Sequence, residues 1–428
     1  MQAYHLKGGK VLLYRDGRFS ASDSDIFVKD GIISSLDSAE GEEEYIPVDV
    51  RGKLIMPGMI NLHTHAYMTL MRNYADDVDF EEWLFKRVMP VEDSLPPECA
   101  YFSSLLACME MISTGTTCFM DMHMYPGQPG RAAREAGIRA YIGRGLVGDE
   151  LDPANDRRFL EALSEMEAAG KEEQDLIRFT IAPHAIYSCS PAFYQAAARE
   201  GRKRGLLLQT HLSESLNEVE NCRKQYGKSP VEVLADSGFL GPDVIAAHCV
   251  RLSGRDLELL AATGTNIVTN PASNAKLGNG FAPIRDIRQA GINLCLGTDG
   301  AASNNTLNLF REMGLFTLIH KGIEESSMSV PSNYVLECVT VNAAKALGRQ
   351  GELGEIRPGA QADLVILDLN SVSLFPWNNI PSSLCYSANG SEVESVMIGG
   401  RFVMRDRQFL TIDKERVFYE INRIAKNL

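Results

Sequence analysis

The sequence has no uncharged apolar run of about eighteen residues or more, the length that a membrane-spanning helix needs. Its first residues, MQAYHLKGGKVLLYRDG, lack the apolar core of a secretory signal peptide. Basic residues are in deficit, since 42 Lys and Arg stand against 56 Asp and Glu, and a net charge of -14 opposes contact with nucleic-acid phosphates. We therefore expect a cytoplasmic protein with no membrane segment and no nucleic-acid partner.

Paired cysteines are also missing. The chain has nine Cys, an odd number, and none forms a CxxC pair, which excludes a dense disulfide framework and a CxxC redox or zinc motif. Cys118, Cys249 and Cys295 lie in apolar, strand-like runs where cysteine usually acts as a small buried hydrophobe. We expect no thiol nucleophile.

At 428 residues the chain is longer than one hydrophobic core usually serves, so two structural units are expected. Both ends carry short strand patterns with hairpin signals: IFVKDGIISSL turns at Asp30-Gly31 and VESVMIGGRFVM at Gly399-Gly400. Neither end can bury a core alone, which favours one β-sandwich built from both. The predicted units are 1–56 and 356–428 as the two halves of the sandwich, and 57–355 as an inserted domain.

The middle of the chain alternates short apolar runs with longer helical patterns such as PAFYQAAAREGRKRG, which indicates parallel strands joined by crossover helices. No GxGxxG follows an early strand, which speaks against a doubly wound dinucleotide-binding sheet. Eight strands in about 300 residues are typical of a (β/α)8 barrel of the TIM type. The candidate strands are MPGMINLHTH, TTCFMDMH, IRAYIGRGL, RFTIAPHAIY, LLLQTHLSE, VIAAHC, NIVTNPAS and NLCLGTDG.

Histidines and one aspartate stand at the C-terminal ends of these strands, which meet at one rim of a barrel. His63 and His65 are two apart on the first strand and so point to the same side. His211 ends the fifth strand and Asp299 the eighth. Three imidazoles and a carboxylate suit one Zn²⁺, with Fe²⁺, Mn²⁺ and Co²⁺ chemically acceptable. An HxH pair alone could equally be a half-buried structural pair.

Two further residues lie beside this predicted metal site. Glu214 in HLSE is a candidate proton shuttle between a ring nitrogen and a leaving group, although a solvated surface carboxylate is the alternative. His248 at the end of the sixth strand could hydrogen-bond a nucleophilic water, and Asp299 could orient that water as well as bind the ion. His184 ends the fourth strand and is either a functional or a core histidine.

The motifs PGMINLHTH, HLSESLNE, AAHCVRL, NPASNAKLGNG, LGTDGAASNNTLNLF and GEIRPGAQADLVILD resemble, in order, the signatures of the amidohydrolase superfamily. HTHAYMTLMRNYADDVDFEEWLFKRVMPVED is similar to its branch of S-adenosylhomocysteine and 5′-methylthioadenosine deaminases. Dinuclear branches use a carboxylated lysine at strand four. RFTIAPHAIYSC has no lysine there, so the resemblance implies one divalent ion per chain.

The resemblance also implies substrate contacts. Glu92 in PVED occupies the position of a carboxylate, in the loop after strand one, that binds both ribose hydroxyls. Arg144 and Arg158, with Arg157 as the fallback for the second, would meet the amino-acid carboxylate of homocysteine, and His184 would contact the purine. A separate candidate is Trp83, which either shields the ligand or packs a helix.

The implied reaction is hydrolytic deamination at C6 of an adenine nucleoside: S-adenosylhomocysteine, 5′-methylthioadenosine or adenosine. The nearest alternative is the same chemistry on guanine, an oxidised purine, a pyrimidine or a chlorotriazine. An inactive scaffold barrel and a metal-storage or sensing module are alternatives of other classes. A homo-oligomer is expected by resemblance only.

Overall fold

The computed structural model describes residues 2–39, 44–168 and 175–426. The strands are β1 Tyr4–Lys7, β2 Lys10–Arg15, β3 Arg18–Asp23, β4 Ile26–Lys29, β5 Ile32–Leu36, β6 Ile46–Asp49, β7 Lys53–Pro57, β8 Met59–Thr64, β9 Thr116–His123, β10 Arg139–Leu146, β11 Ile177–Pro183, β12 Leu207–Leu212, β13 Val244–His248, β14 Asn266–Thr269, β15 Leu294–Leu296, β16 Leu364–Asp368, β17 Val393–Ile398, β18 Arg401–Arg405 and β19 Gln408–Phe409.

The α-helices are α1 Met89–Ser94, α2 Pro97–Ser113, α3 Gln128–Ala136, α4 Arg157–Ala168, α5 Pro191–Lys203, α6 Leu216–Tyr226, α7 Pro230–Asp236, α8 Gly254–Thr263, α9 Pro271–Lys276, α10 Ile284–Gln289, α11 Ala301–Asn304, α12 Leu309–Ile323, α13 Ser332–Cys338, α14 Val341–Ala346, α15 Ile380–Tyr386 and α16 Lys414–Ala425. A 3-10 helix, Ala66–Met71, and a π-helical segment, Glu82–Val88, lie in the connection after β8. Among helices of the described ranges, none pairs the length with the apolar character that crossing a bilayer requires.

The central sheet contains β8 to β15, which lie side by side in chain order and are all parallel. Its two edge strands meet, because the Asp299 backbone N–H donates to the His63 carbonyl at 2.9 Å. The Asn61 side chain also bridges to Thr298, accepting its N–H and donating to its hydroxyl. The predicted barrel is therefore confirmed. The last strand is shorter than predicted, so Asp299 lies in the turn that follows β15.

The helices around the barrel follow the local sequence signals. Helix α5, inside the predicted PAFYQAAAREGRKRG segment, has Pro191 at its first position and Ser190 as its cap, whose hydroxyl accepts the Phe193 N–H. Its inward face buries Phe193, Tyr194 and the alanines around them. Burial of this stripe fixes the helix against the barrel.

The chain ends form two further sheets. One has the order β5-β4-β1-β6 and the other β19-β18-β17-β16-β7-β2-β3. Strand β16 from the C-terminal part pairs antiparallel with β7 from the N-terminal part, which confirms a sheet domain built from both ends. The core between the sheets includes Leu6, Val11, Ile33, Leu364 and Met397, each essentially inaccessible to solvent.

Both predicted hairpins are present. Asp30 and Gly31 join β4 to β5 with positive φ angles of 50° and 86°, as a type I′ turn requires. Gly399 and Gly400, with φ of 53° and 73°, join β17 to β18. Helix α16 packs on α2 of the barrel. The boundaries 1–56, 57–355 and 356–428 stay a prediction.

Candidate active site

The C-terminal ends of the barrel strands bring five donor residues into one buried cluster. Within each of two groups, His63, His211 and His248, and His63, His65 and Asp299, the donor atoms lie within 4.8 Å of one another. His63 Nε2 and His65 Nε2 are 3.5 and 3.4 Å from Asp299 Oδ1. His65 Nε2 lies 3.2 Å from His211 Nε2.

Hydrogen bonds from outside the cluster orient its imidazoles. His65 Nδ1 donates to the Met122 carbonyl at 2.7 Å, and His211 Nδ1 donates to the His184 carbonyl at 2.9 Å. A proton on Nδ1 leaves the Nε2 lone pair directed into the cluster. His63 Nε2 is buried and has no hydrogen-bond partner among the described residues. A buried, unpaired ring nitrogen beside other lone pairs and a carboxylate fits a bound cation.

Asp299 is fixed by three donors. Ser273 and Ser303 donate their hydroxyls to Oδ2 at 2.7 and 2.8 Å, and the Gly300 N–H donates to Oδ1 at 2.8 Å. Its backbone has φ of 63°, and His248 has φ of 71°. Such left-handed conformations are costly for residues with a Cβ and cluster at functional sites. Here the strand ends turn sharply enough to aim both side chains at the cluster.

The electrostatics leave His63 and His211 neutral and Asp299 charged. Burial lowers the pKa of His63 to about 4 and that of His211 well below its ordinary value. Burial alone would raise the pKa of Asp299, but its contacts with His63 and His65 hold it well below the usual range. Neutral imidazoles and an ionised carboxylate are the protonation states that bind a divalent ion.

Glu214 and His248 lie together beside the cluster. His248 Nε2 is 3.8 Å from Glu214 Oε2, and Asn274 accepts from His248 Nδ1 at 2.9 Å. Asn279 donates to Glu214 Oε1 at 3.0 Å. Burial, followed by repulsion from Asp299, raises the pKa of Glu214 to about 8. A carboxyl group in this setting keeps a proton at neutral pH and can donate it.

Glu218 supports this arrangement and was missed by sequence reasoning. Its two carboxylate oxygens accept the backbone N–H groups of Ser213 at 2.9 Å and Glu214 at 2.8 Å. Helix α6 begins after Ser215, whose hydroxyl accepts the Glu218 N–H. The Ser-x-x-Glu spacing of a capping box was therefore the available signal. The carboxylate reaches past Ser215 to the preceding turn, which spacing alone does not reveal.

A cavity of about 670 Å³ opens over the cluster. Glu92, His184, Arg158 and Trp83 all contribute to its lining. Its size falls in the range of cavities that hold small molecules. The lining also has polar and acidic residues, among them Glu81, Asp149 and Glu218. Its aromatic and apolar part includes Met68, Phe80, Leu84, Phe85, Met89, Met124, Val147, Ile186, Tyr187 and Tyr226.

Three of the predicted contact residues have well-defined surroundings. Glu92 lies on helix α1 rather than in a loop, and the Tyr67 hydroxyl donates to its carboxylate. His184 Nδ1 is 3.0 Å from the Ser188 hydroxyl, and burial lowers its pKa to about 3, so the ring is neutral. The Trp83 indole N–H donates to the Ala302 carbonyl at 3.3 Å, so Trp83 both packs and lines the cavity.

The predicted arginines are not equivalent. Arg158 lines the cavity, whereas Arg157 is largely exposed on α4 and lies 3.8 Å from Glu161. Arg144 is 5% exposed and lies outside the lining. Its guanidinium is paired with Glu161. Sequence reasoning did not identify Glu161.

Comparison with protein families extends this description. The sequence model of the family described as Amidohydrolase family matches residues 54–403, which is most of the chain. A 5-methylthioadenosine/S-adenosylhomocysteine deaminase from Acetivibrio thermocellus is 40% identical over 408 residues, 94% of each chain. A 5'-deoxyadenosine deaminase from Methanosarcina mazei is 39% identical over 409 residues, 94% of this chain and 93% of its own.

Among solved structures, an adenosine deaminase from Xanthomonas campestris with bound zinc superimposes with a TM-score of 0.92 at 28% identity. The match covers 99% of each chain. The likeness therefore includes the barrel and the sheet domain together.

Proposed function

The chain belongs to the amidohydrolase family, and from this premise we propose that it hydrolyses the 6-amino group of adenine nucleosides, releasing ammonia and the inosine analogue. Similar proteins are named for 5-methylthioadenosine, S-adenosylhomocysteine and 5'-deoxyadenosine. The observation that carries the proposal is the buried Glu214 carboxyl, which accepts a hydrogen bond from Asn279 at 3.0 Å and lies 3.8 Å from His248 beside the donor cluster. Protonation of the ring nitrogen beside C6 makes that carbon electrophilic enough for a water to add, and the Glu214 carboxyl is placed to supply this proton.

The family and the donor cluster indicate a divalent metal ion. We propose His63, His65, His211 and Asp299 as its ligands, and one zinc ion per chain, because three imidazoles and one carboxylate suit zinc. Such an ion supplies Lewis acidity that makes a water nucleophilic near neutral pH. The zinc in the Xanthomonas campestris structure supports this choice.

In the proposed reaction Glu214 donates its proton to the ring nitrogen beside C6 while a water oxygen adds to C6. Asp299 accepts one proton of that water, and Ser273 and Ser303 hold the carboxylate in place for the transfer. His248, whose Nδ1 donates to Asn274, accepts through Nε2 a hydrogen bond from the added hydroxyl and so orients the tetrahedral centre.

In the second half of the reaction Glu214 and Asp299 return to their starting protonation states. Glu214 takes the remaining proton of the added oxygen as the carbonyl forms. The amino group takes the proton held by Asp299 and departs as ammonia. In the net reaction the C6 amino group is replaced by a C6 carbonyl, and the ring nitrogen beside it carries a proton.

Substrate contacts are proposed from the cavity lining. Glu92 accepts hydrogen bonds from the two ribose hydroxyls, and His184, a neutral imidazole, hydrogen-bonds the purine. Arg158 faces the 5′ side, and Trp83 covers the ligand. These assignments, a cytoplasmic location and a homo-oligomeric state are predictions; size-exclusion chromatography with light scattering measures the last.

The test is ammonia release by purified, zinc-loaded protein from adenosine, 5′-deoxyadenosine, 5′-methylthioadenosine, S-adenosylhomocysteine and guanine. We expect turnover of the adenine nucleosides, followed by the change in ultraviolet absorbance. Turnover of guanine alone would identify the protein as a deaminase of a different ring and would contradict the choice of adenine nucleosides. Ammonia from none of them would contradict the proposal.

A further inference from the structure

The guanidinium of Arg144 is occupied by a carboxylate of the same chain. Its Nε and Nη2 donate to one oxygen, Oε2, of Glu161 at 3.1 and 2.9 Å. Its Nη1 contacts the Met124 sulfur at 3.7 Å. The Arg144 side chain is 5% exposed and that of Glu161 is 26% exposed, so this pair is partly shielded from solvent and less screened than a fully exposed ion pair.

The cavity itself has an acidic lining. Among the described residues that line it, Arg158 is the one arginine or lysine. Arg158 Nη1 already donates to the Gly145 carbonyl at 3.1 Å. Burial, and after it the positive charge of Arg144, lowers the pKa of Arg158. Apart from the proposed metal ligand Asp299 and the protonated Glu214, the acidic lining residues are Glu81, Glu92, Asp149 and Glu218.

We propose, resting on the proposed function, that Glu161 determines specificity at the 5′ position by neutralising Arg144. The enzyme then prefers adenine nucleosides with a compact, uncharged 5′ group over those with a 5′ amino-acid group. A substrate carboxylate would enter an acidic cavity that offers a single cation, so the loss of its hydration is poorly compensated. A methylthio or methyl group loses little hydration, and Met89, Met124 and Val147 line the cavity to receive it.

The first measurement is kcat/KM of the wild-type protein for 5′-methylthioadenosine and for S-adenosylhomocysteine. We expect a ratio of at least about 10 in favour of 5′-methylthioadenosine, about 1.4 kcal/mol. A preference for S-adenosylhomocysteine would overturn the inference while leaving the deaminase proposal intact. Absence of turnover with every adenine nucleoside would overturn both.

The second measurement uses Glu161→Gln, which keeps a carbonyl acceptor for Arg144 but removes the neutralising charge. We expect kcat/KM for S-adenosylhomocysteine to rise about tenfold, with little change for 5′-methylthioadenosine. Glu167→Gln, an exposed residue of the same helix, makes the same change of net charge and should leave the ratio at the wild-type value. Equal ratios in the two variants would overturn the inference.

A double variant separates charge from structure. Arg144→Met with Glu161→Gln removes both members of the pair, so the substrate ratio should stay within about twofold of wild type. If Arg144 instead held the substrate carboxylate in the wild-type protein, the double variant would lose S-adenosylhomocysteine turnover selectively. That result would overturn the inference even where Glu161→Gln alone folds poorly.

Discussion

The Glu218 carboxylate accepts the backbone N–H of Glu214 at 2.8 Å and so holds the turn that carries the proposed proton donor. Its other oxygen accepts from Ser213, which has a positive φ of 50°. A carboxylate can accept from two amides at once, whereas a glutamine in its place offers one acceptor and turns an NH2 group toward the second amide.

Glu218→Gln should therefore lower kcat about tenfold to a hundredfold, which corresponds to the free-energy cost of one unsatisfied buried hydrogen-bonding group. KM and metal content should change little. Glu220→Gln, an exposed neighbour on the same helix, is the matched control. A fall in thermal stability with unchanged kcat would assign Glu218 a purely structural role.

His63 was identified from its strand-end position, as were His65, His211 and Asp299. That part of the site could be predicted, because the C-terminal ends of parallel strands always meet at one rim. The period of two along β8 then put both of its histidines on the same side.

The Arg144–Glu161 pair could not be predicted in the same way. The partner of a strand-end arginine depends on how helix α4 packs after a connection of ten residues, 147–156, and no short-range pattern encodes that packing. The resemblance drew attention to Arg144 but carried no information about Glu161. Glu92 was likewise expected in a loop and lies on a helix.

His63→Ala should reduce bound metal to well under one ion per chain. It removes the nitrogen that has no hydrogen-bond partner among the described residues and lies 3.5 Å from Asp299. Metal is measured by elemental analysis after dialysis, with His320→Ala as a control for loss of a buried histidine elsewhere. Unchanged metal content would refute His63 as a ligand.

Glu214→Gln should retain the metal and lose turnover. The amide cannot donate a proton to the ring nitrogen, and general acid catalysis is worth about a hundredfold to ten-thousandfold in kcat. Metal content and kcat are measured on the same preparation. A variant that loses both would assign Glu214 to metal binding, and one that keeps its activity would remove it from the mechanism.

The raised pKa of Glu214 also predicts a pH dependence of stability in the metal-free protein. The folded protein keeps this proton up to about pH 8, whereas the unfolded chain releases it near the ordinary value of 4.5. Unfolding within that window therefore releases a proton, and the free energy of unfolding falls as pH rises toward 8.

In Glu214→Gln this contribution disappears. The slope of the free energy of unfolding between pH 5 and 8 should become less negative by up to about 1.4 kcal/mol per pH unit, the value of one proton. Chemical denaturation at several pH values measures both slopes. Parallel curves for the two proteins would contradict the assignment of this proton to Glu214.

Glu92→Gln should impair only substrates that carry ribose hydroxyls. The charged acceptor, held by the Tyr67 hydroxyl, is proposed to bind both of them, and a hydrogen bond to a charged group is worth about 1.5 to 3 kcal/mol. We expect kcat/KM for adenosine to fall by about tenfold to a hundredfold, and that for 2′,3′-dideoxyadenosine to stay within about twofold. Because each substrate is compared with itself in the wild-type protein, any general weakening of the fold lowers both values together. Equal losses would therefore place Glu92 among the residues that only support helix α1, whereas a selective loss identifies it as the ribose contact.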